Sequence, residues 1–145
     1  MTNPELHIAA LDKQGLPVYF EGDKKKTVVI LGQSLPFMTK RRGAIIVPAG
    51  FVSDGCSIPR ALWTALGHPF SYKYLREAIL HDYLYLYQPF SRRTADKIFR
   101  DELKKGGKVG LIRRNSIYRA LRLFGGIAWK NNQKKMIDKI KGEAK

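Results

Sequence analysis

The chain has 145 residues, of which 44% are hydrophobic and 27% charged, a size and balance typical of one domain with a single core. Its 27 lysines and arginines against 12 acidic residues give a net charge of +15, which draws it to polyanions such as nucleic acid or an anionic membrane surface. It contains no run of about 18 apolar residues and no basic-then-apolar start, so we expect neither a membrane span nor a signal peptide.

The single cysteine, Cys56, excludes an internal disulfide. A fold without disulfides does not depend on oxidising surroundings, so we expect a cytoplasmic protein, or one carried in a phage particle. We interpret Cys56 as a small packing residue rather than a nucleophile.

The first 50 residues predict a small antiparallel β-sheet, arranged as a meander of hairpins. Runs of β-branched and aromatic residues predict strands at 18–20, at Thr27–Leu31 and at Gly43–Val47, each followed by turn-forming residues. The segment 35–38 is ambiguous.

Helical periodicity replaces strand patterns after the turn-rich loop 51–59. The predicted helices cover 60–66, then 71 or 72 to 87, 92–105 and 109–124. In the last of these, Gly125-Gly126 is predicted to end the helix, and five apolar residues are predicted to face inward: Ile112, Ile117, Ala120, Leu121 and Phe124. The fold class is therefore α+β: a sheet followed by a three- to four-helix bundle. We divide the single domain, 1–145, into a β-rich part (1–50), a loop with the helical core (51–127) and a basic C-terminal tail (128–145) with a weak, fraying helix.

The central predicted helix carries adjacent polar residues, His81 and Asp82, although it is apolar around most of its circumference. Neighbouring helical residues point about 100° apart, so the two side chains meet different partners. A buried imidazole or carboxylate costs free energy unless it is paired. Asp96 shares the buried face of the next helix with Phe99 and Leu103, and we predict that it accepts a hydrogen bond from His81. The other imidazole nitrogen then remains free to take a proton from water.

Asp82 needs a partner of its own, and the loop 51–59 offers Asp54. Hard cations such as Ca²⁺ bind carboxylates and backbone carbonyls, and a loop glycine such as Gly55 lets a carbonyl approach. Asp54, Gly55 and Asp82 therefore form a candidate calcium site of modest affinity.

These motifs resemble bacterial and fungal secreted phospholipases A2. The resemblance covers residues 54–125, about half of the chain, and rests on the order of a D-G-C-S loop at 54–57, a Pro-Phe at 69–70, the H-D-x-x-Y segment at 81–85 and the aspartate of the following helix. These lipases have disulfides, which this chain lacks.

The resemblance implies a Ca²⁺-assisted ester hydrolase acting on an anionic phospholipid surface. His81 would be the general base, Asp96 would orient it, and Tyr85 would hydrogen-bond Asp96. Asp82 would hold Ca²⁺ together with groups of Asp54 and Gly55, and the cation would stabilise the oxyanion.

The chain also resembles a family of short bacterial and phage proteins of unknown function. The shared pattern is V-P-x-G-F-x-S-D-x-x-S-x-P at 47–59, followed by H-D-x-L-Y at 81–85. A second hypothesis is a non-enzymatic accessory or virion-associated structural protein that keeps the helix pair as a scaffold, with phage structural proteins as candidate partners.

Two further interpretations stay open. The polar residues of the helix pair are also consistent with a buried network that only fixes helix register. Arginines predicted to face mostly outward from the helix 109–124 could also form a stripe for non-specific, salt-sensitive nucleic-acid binding; they are Arg113, Arg114, Arg119 and Arg122.

Overall fold

A computed structural model of the chain describes residues 8–11, 15–22, 27–54, 57–66, 74–106 and 109–143. The predicted α+β class is confirmed, with strands before helices. The strands are β1 (Ile8–Leu11), β2 (Pro17–Gly22), β3 (Thr27–Leu31), β4 (Leu35–Thr39), β5 (Gly43–Val47) and β6 (Val52–Ser53). A 3-10 turn at Arg60–Leu62 leads into α1 (Trp63–Leu66), and the longer helices are α2 (Leu75–Tyr87), α3 (Arg92–Lys105), α4 (Leu111–Phe124) and α5 (Gly126–Glu143).

The strands form two antiparallel sheets, so the predicted single meander is wrong. One sheet has the order β1-β2-β3-β6, and β4 and β5 form a separate hairpin. After β5 the chain turns at Gly50, whose φ of 82° favours glycine, and returns to β3. Gly50 N donates to Leu31 O at 2.8 Å, and β6 then pairs with β3, with Ser53 opposite Val29. This long-range pairing separates β4 from β3.

The ambiguous segment 35–38 belongs to β4. Leu35 and Phe37 are buried, and the residues between and after them are exposed, as expected for a strand with one buried face. On β5, Ile45 and Val47 complete the buried face of the hairpin.

Helix α2 is buried nearly all round and lies between two apolar clusters, as predicted for the central helix. Ile79 and Leu84 pack with the sheets, and Ala78 packs with α1, α3 and α4. The predicted start at 71 or 72 lies outside the described residues. Because α2 has a buried circumference, its polar side chains must find partners inside the protein.

The predicted boundaries and buried face of α3 are confirmed, but α4 buries less than predicted. The Ser91 side chain caps α3 by accepting from Thr94 N at 3.2 Å. On α4 only Ile117 and Leu121 are buried, whereas Ile112 and Phe124, predicted to face inward, are exposed. The inward stripe is narrow because α4 packs on the helices from one side only.

The C-terminal tail, predicted to carry a weak helix, belongs to a continuous 18-residue helix, α5, and the fraying of this helix stays a prediction. Gly126, predicted to stop the preceding helix, opens α5 instead. No residue of α5 is buried, but Trp129 packs edge-on against Tyr85 with ring centroids 5.1 Å apart. Among the described residues, no helix is both long and apolar enough to cross a membrane.

Candidate active site

The structure brings His81 and Asp96 together in the protein interior. Both side chains are fully buried, and His81 Nε2 lies 3.0 Å from Asp96 Oδ1, so the predicted hydrogen bond is present. Gln88, in the left-handed conformation, caps the end of α2, and α3 begins four residues later. This short connection places the two helices side by side.

Asp96 accepts hydrogen bonds from three residues on two helices, α2 and α4. Besides His81, the Tyr85 hydroxyl donates to Oδ1 at 2.6 Å and Arg122 Nη1 donates to Oδ2 at 2.8 Å. Burial acts to raise the pKa of Asp96, but the bonds from His81, Tyr85 and Arg122 act against it and hold the pKa below its ordinary value. Asp96 is therefore a buried, ionised carboxylate.

Tyr85 is held as a hydrogen-bond donor. Burial, together with the charge of Asp96, raises the pKa of Tyr85 far above its ordinary value, so the hydroxyl keeps its proton. The Tyr85 and Phe99 rings also pack on the imidazole of His81, with centroids 4.2 and 4.7 Å away. These contacts fix the plane in which His81 lies.

The prediction that Arg122 faces outward is wrong. It is half-buried and supplies the nearest positive charge to Asp96. Arg92 lies beside it, 3.7 Å from Asp96 Oδ2, and donates to the carbonyls of Leu121 and Arg122 at 3.0 and 3.2 Å. The sequence held one signal for this contact, because a carboxylate in the protein interior needs a positive charge beside it.

Ser57 occupies the other side of His81. Its Oγ lies 3.0 Å from Nδ1, the nitrogen that we predicted to be free for water, so that prediction is wrong in detail. Ser57 also donates to Asp82 through its hydroxyl, and through its backbone N–H at 3.3 Å. The Ser53 hydroxyl donates to the other oxygen of Asp82. Sequence reasoning assigned neither serine a role, although both lie in the motif at 47–59.

A cavity of about 530 Å³ opens next to this network. Its polar side is formed by Asp54, Ser57 and Asp82, and its apolar wall includes Leu86, Phe124 and Ile127. The cavity therefore offers an apolar surface beside a serine hydroxyl that contacts a histidine.

The structure places two of the three predicted calcium ligands at this cavity. Asp54 and Asp82 both line it, and Gly55 lies outside the described residues. The side-chain donors are oxygens, the type that Ca²⁺ prefers, so their chemistry fits a hard cation. The described residues contain no group of three or more His, Cys, Asp or Glu side chains arranged to hold a metal. Tight binding would thus need further oxygen ligands.

Comparison with known proteins places this site in a family. A family model described as "Protein of unknown function (DUF1353)" matches residues 29–121, well over half of the chain. The chain belongs to the DUF1353 family. The DUF1353 region runs from β3 to α4 and contains Ser57, His81, Asp82 and Asp96, whereas Arg122 follows it directly. The predicted membership of a family of unknown function is confirmed, and the likeness to phospholipase A2 stays a prediction.

A curated relative to which this DUF1353 protein is similar has a name that states no activity. The "Uncharacterized protein y4jT" of Sinorhizobium fredii (strain NBRC 101917 / NGR234) is 46% identical over 37 residues, which are 26% of this chain. The match covers 11% of the relative's length. No solved structure matches the chain.

Proposed function

We propose that this DUF1353 protein is a phospholipase-A2-like hydrolase of carboxylic esters, with His81 as the general base. One observation supports this proposal: both ring nitrogens of His81 have partners. The buried carboxylate of Asp96 contacts one nitrogen, and the hydroxyl of Ser57, which lines the cavity, contacts the other. A base that is oriented by a carboxylate, and whose other nitrogen contacts a hydroxyl on a cavity wall, suits general-base catalysis.

The network supports one imidazole tautomer. Asp96 is an ionised acceptor, so Nε2 carries the proton that is donated to it, and Nδ1 presents its lone pair toward Ser57. Tyr85 and Arg122 hold Asp96 in place, which keeps the ring oriented. A proton taken from a nucleophile would therefore arrive at Nδ1.

The proposed cation would be held by Asp82 and Asp54, with a carbonyl of Gly55. When bound, Ca²⁺ would polarise the ester carbonyl and stabilise the negative charge that develops on its oxygen. With two carboxylates, the Kd would be on the order of a millimolar.

Lipid esters on an anionic surface are the proposed substrates. Phe124 and Ile127, which line the cavity, are 55% and 73% exposed, and this apolar rim adjoins the basic helix α5. The lysines of α5 are Lys130, Lys134, Lys135, Lys139 and Lys141. An apolar rim flanked by cations suits insertion among anionic headgroups.

The deciding experiment measures fatty-acid release from phosphatidylglycerol and phosphatidylcholine vesicles. We expect release from the anionic vesicles, and loss of at least about a hundredfold in His81→Ala, as removal of a general base implies. Met38→Ala, at an exposed position of the β4–β5 hairpin, serves as the control. Undiminished release by folded His81→Ala would contradict the proposal. No release by the folded wild type would favour the non-enzymatic accessory role.

Calcium is tested separately by calorimetry. We expect heat of binding at millimolar Ca²⁺ for the wild type and none for Asp82→Asn. Equal binding by the two proteins would remove Asp82 from the proposed cation site.

A second candidate function is polyanion binding, and a cleft on a different part of the molecule favours it. The cleft, of about 970 Å³, lies between the β4–β5 hairpin and α3. Its basic residues are Lys40, Arg41, Arg42, Lys97, Lys104 and Lys105. Two acidic residues, Asp101 and Glu102, also line it, and Arg41 pairs with Asp101 at 2.9 Å.

Anisotropy of a labelled 20-base-pair duplex tests the second candidate. If the cleft binds nucleic acid, log Kd rises with log salt, and Lys97→Glu with Lys104→Glu lowers both the affinity and the slope. Arg113→Glu with Arg119→Glu alters the predicted arginine stripe on the exposed side of α4 and makes the same charge change away from the cleft, so a larger loss in this variant would place binding on the stripe. Equal losses in the two double variants would point to net charge alone.

A further inference from the structure

We propose that Ser57 is the nucleophile of this hydrolase and carries the acyl group as an ester between two half-reactions. This inference rests on the proposed function and changes its mechanism, because the resemblance to phospholipase A2 implies attack by water.

The geometry is that of a nucleophile, a base and an orienting acid in sequence. Ser57 Oγ is 3.0 Å from His81 Nδ1, and His81 Nε2 is 3.0 Å from Asp96 Oδ1. Activated serines in unrelated folds share this order of contacts, which is recognised by geometry rather than by sequence position. A water on Nδ1 would have to occupy the place of the Ser57 hydroxyl.

Asp82 acts as a positioning residue for Ser57. It accepts from the Ser57 backbone N–H at 3.3 Å and from the hydroxyl, and its second oxygen accepts from Ser53. The single hydroxyl proton of Ser57 thus has two acceptors, Asp82 and His81. Transfer toward Nδ1 accompanies attack on a substrate bound in the cavity, which Ser57 lines.

The proposed reaction balances in two steps. First, Ser57 Oγ bonds to the ester carbonyl carbon while its proton passes to His81 Nδ1; the bond to the leaving alcohol then breaks, and that alcohol takes the proton. Second, His81 removes a proton from water, which attacks the acyl-serine. The carboxylic acid leaves, and the proton returns from His81 to Ser57 Oγ.

A fluorophosphonate with an alkyl chain is the probe, and peptide mass spectrometry locates the adduct. We expect one phosphonyl group per wild-type chain, on Ser57, with release of fluoride. Labelling should disappear in Ser57→Ala and slow at least about a hundredfold in His81→Ala, because the base is lost. Ser53→Ala is the matched control, since it also removes a hydroxyl bonded to Asp82 but leaves the nucleophile in place.

Labelling of the wild type decides the question even if Ser57→Ala does not fold. A wild type that hydrolyses ester but gains no phosphonyl group on Ser57 would overturn the inference. Full hydrolysis by folded Ser57→Ala, with loss in His81→Ala, would do the same and leave the hydrolase proposal standing with water as nucleophile. If the folded wild type neither hydrolyses the ester nor gains a phosphonyl group, both the assignment of Ser57 as nucleophile and the hydrolase proposal are wrong.

Discussion

Asp96 stays ionised in the interior because donors from α2 and α4 surround it. The two oxygens of Asp96 accept from His81 and Tyr85 on one side and from Arg122 on the other, and a buried donor without a partner is costly. The substitution Asp96→Asn keeps the volume but removes the charge and replaces one acceptor oxygen by an NH2 donor, so it cannot accept from all three donors. We expect the free energy of unfolding, measured by urea denaturation at neutral pH, to fall by about 3 kcal/mol. A loss below about 1 kcal/mol would mean that the hydrogen bonds to Asp96 stabilise the protein no more than exposed ion pairs do.

The same carboxylate sets a pH dependence of stability. The pKa of Asp96 lies below its unfolded value of 3.8, so its contribution is present above that value and is lost as the pH falls through the lower, folded value. Between about pH 5 and pH 2, the unfolding free energy should therefore fall more steeply in the wild type than in Asp96→Asn. Glu102 provides a contrast, because burial raises its pKa and acidification relieves a cost. In Glu102→Gln, the unfolding free energy should therefore fall on acidification as steeply as in the wild type, or more steeply.

At the scale of elements, Gly125 joins α4 to α5 directly over the site. A Cβ at this position would lie 2.6 Å from the Tyr85 hydroxyl and 2.7 Å from Leu121 O, closer than real contacts allow. Gly125→Ala should therefore displace Tyr85 from Asp96 and destabilise the protein by about 1–3 kcal/mol.

The control is Gly142→Ala on α5, where the added Cβ meets nothing within 4 Å. It should leave the midpoint of thermal unfolding nearly unchanged, because Gly142 lies one residue before the exposed end of α5, which opens without unfolding the rest. Thermal unfolding of the two variants checks both expectations. An unchanged midpoint for Gly125→Ala would show that the junction can move without cost.

Local patterns predicted the elements that local chemistry determines. The cap at Ser91 and the apolar face of α3 depend on residues close in sequence, and α3 appears where predicted. The pairing of β6 with β3 depends on the turn at Gly50, and no local pattern reveals it. Helical periodicity also predicted the contact between His81 and Asp96. It could not place Arg122, because the side of α4 that packs on the site depends on the position of the whole helix.

At the scale of the molecule, the charge of +15 is spread over separate surfaces, and their roles can be distinguished. Lys130→Glu with Lys134→Glu on α5 should weaken binding to phosphatidylglycerol vesicles by about tenfold or more, since each basic residue near such a surface contributes about 1 kcal/mol. The control, Lys40→Glu with Lys97→Glu in the hairpin–α3 cleft, makes the same change in net charge. Vesicle sedimentation at two salt concentrations measures both. Equal weakening in the two double variants would mean that the net charge of the protein, and not the lysines of α5, determines binding to the vesicles.

Helix α5 is anchored at one end only. Gln88 Nε2 donates to Trp129 O at 3.0 Å, and Asn132 Nδ2 donates to Tyr85 O at 3.3 Å, so its first two turns are tied to the end of α2. Beyond residue 137 every side chain of α5 is exposed. Amide hydrogens of the last turns should therefore exchange with deuterium much faster than those around Trp129, by local opening that leaves the rest folded. Slowing of that exchange on anionic vesicles would identify this free end as the part of the chain that a lipid surface orders.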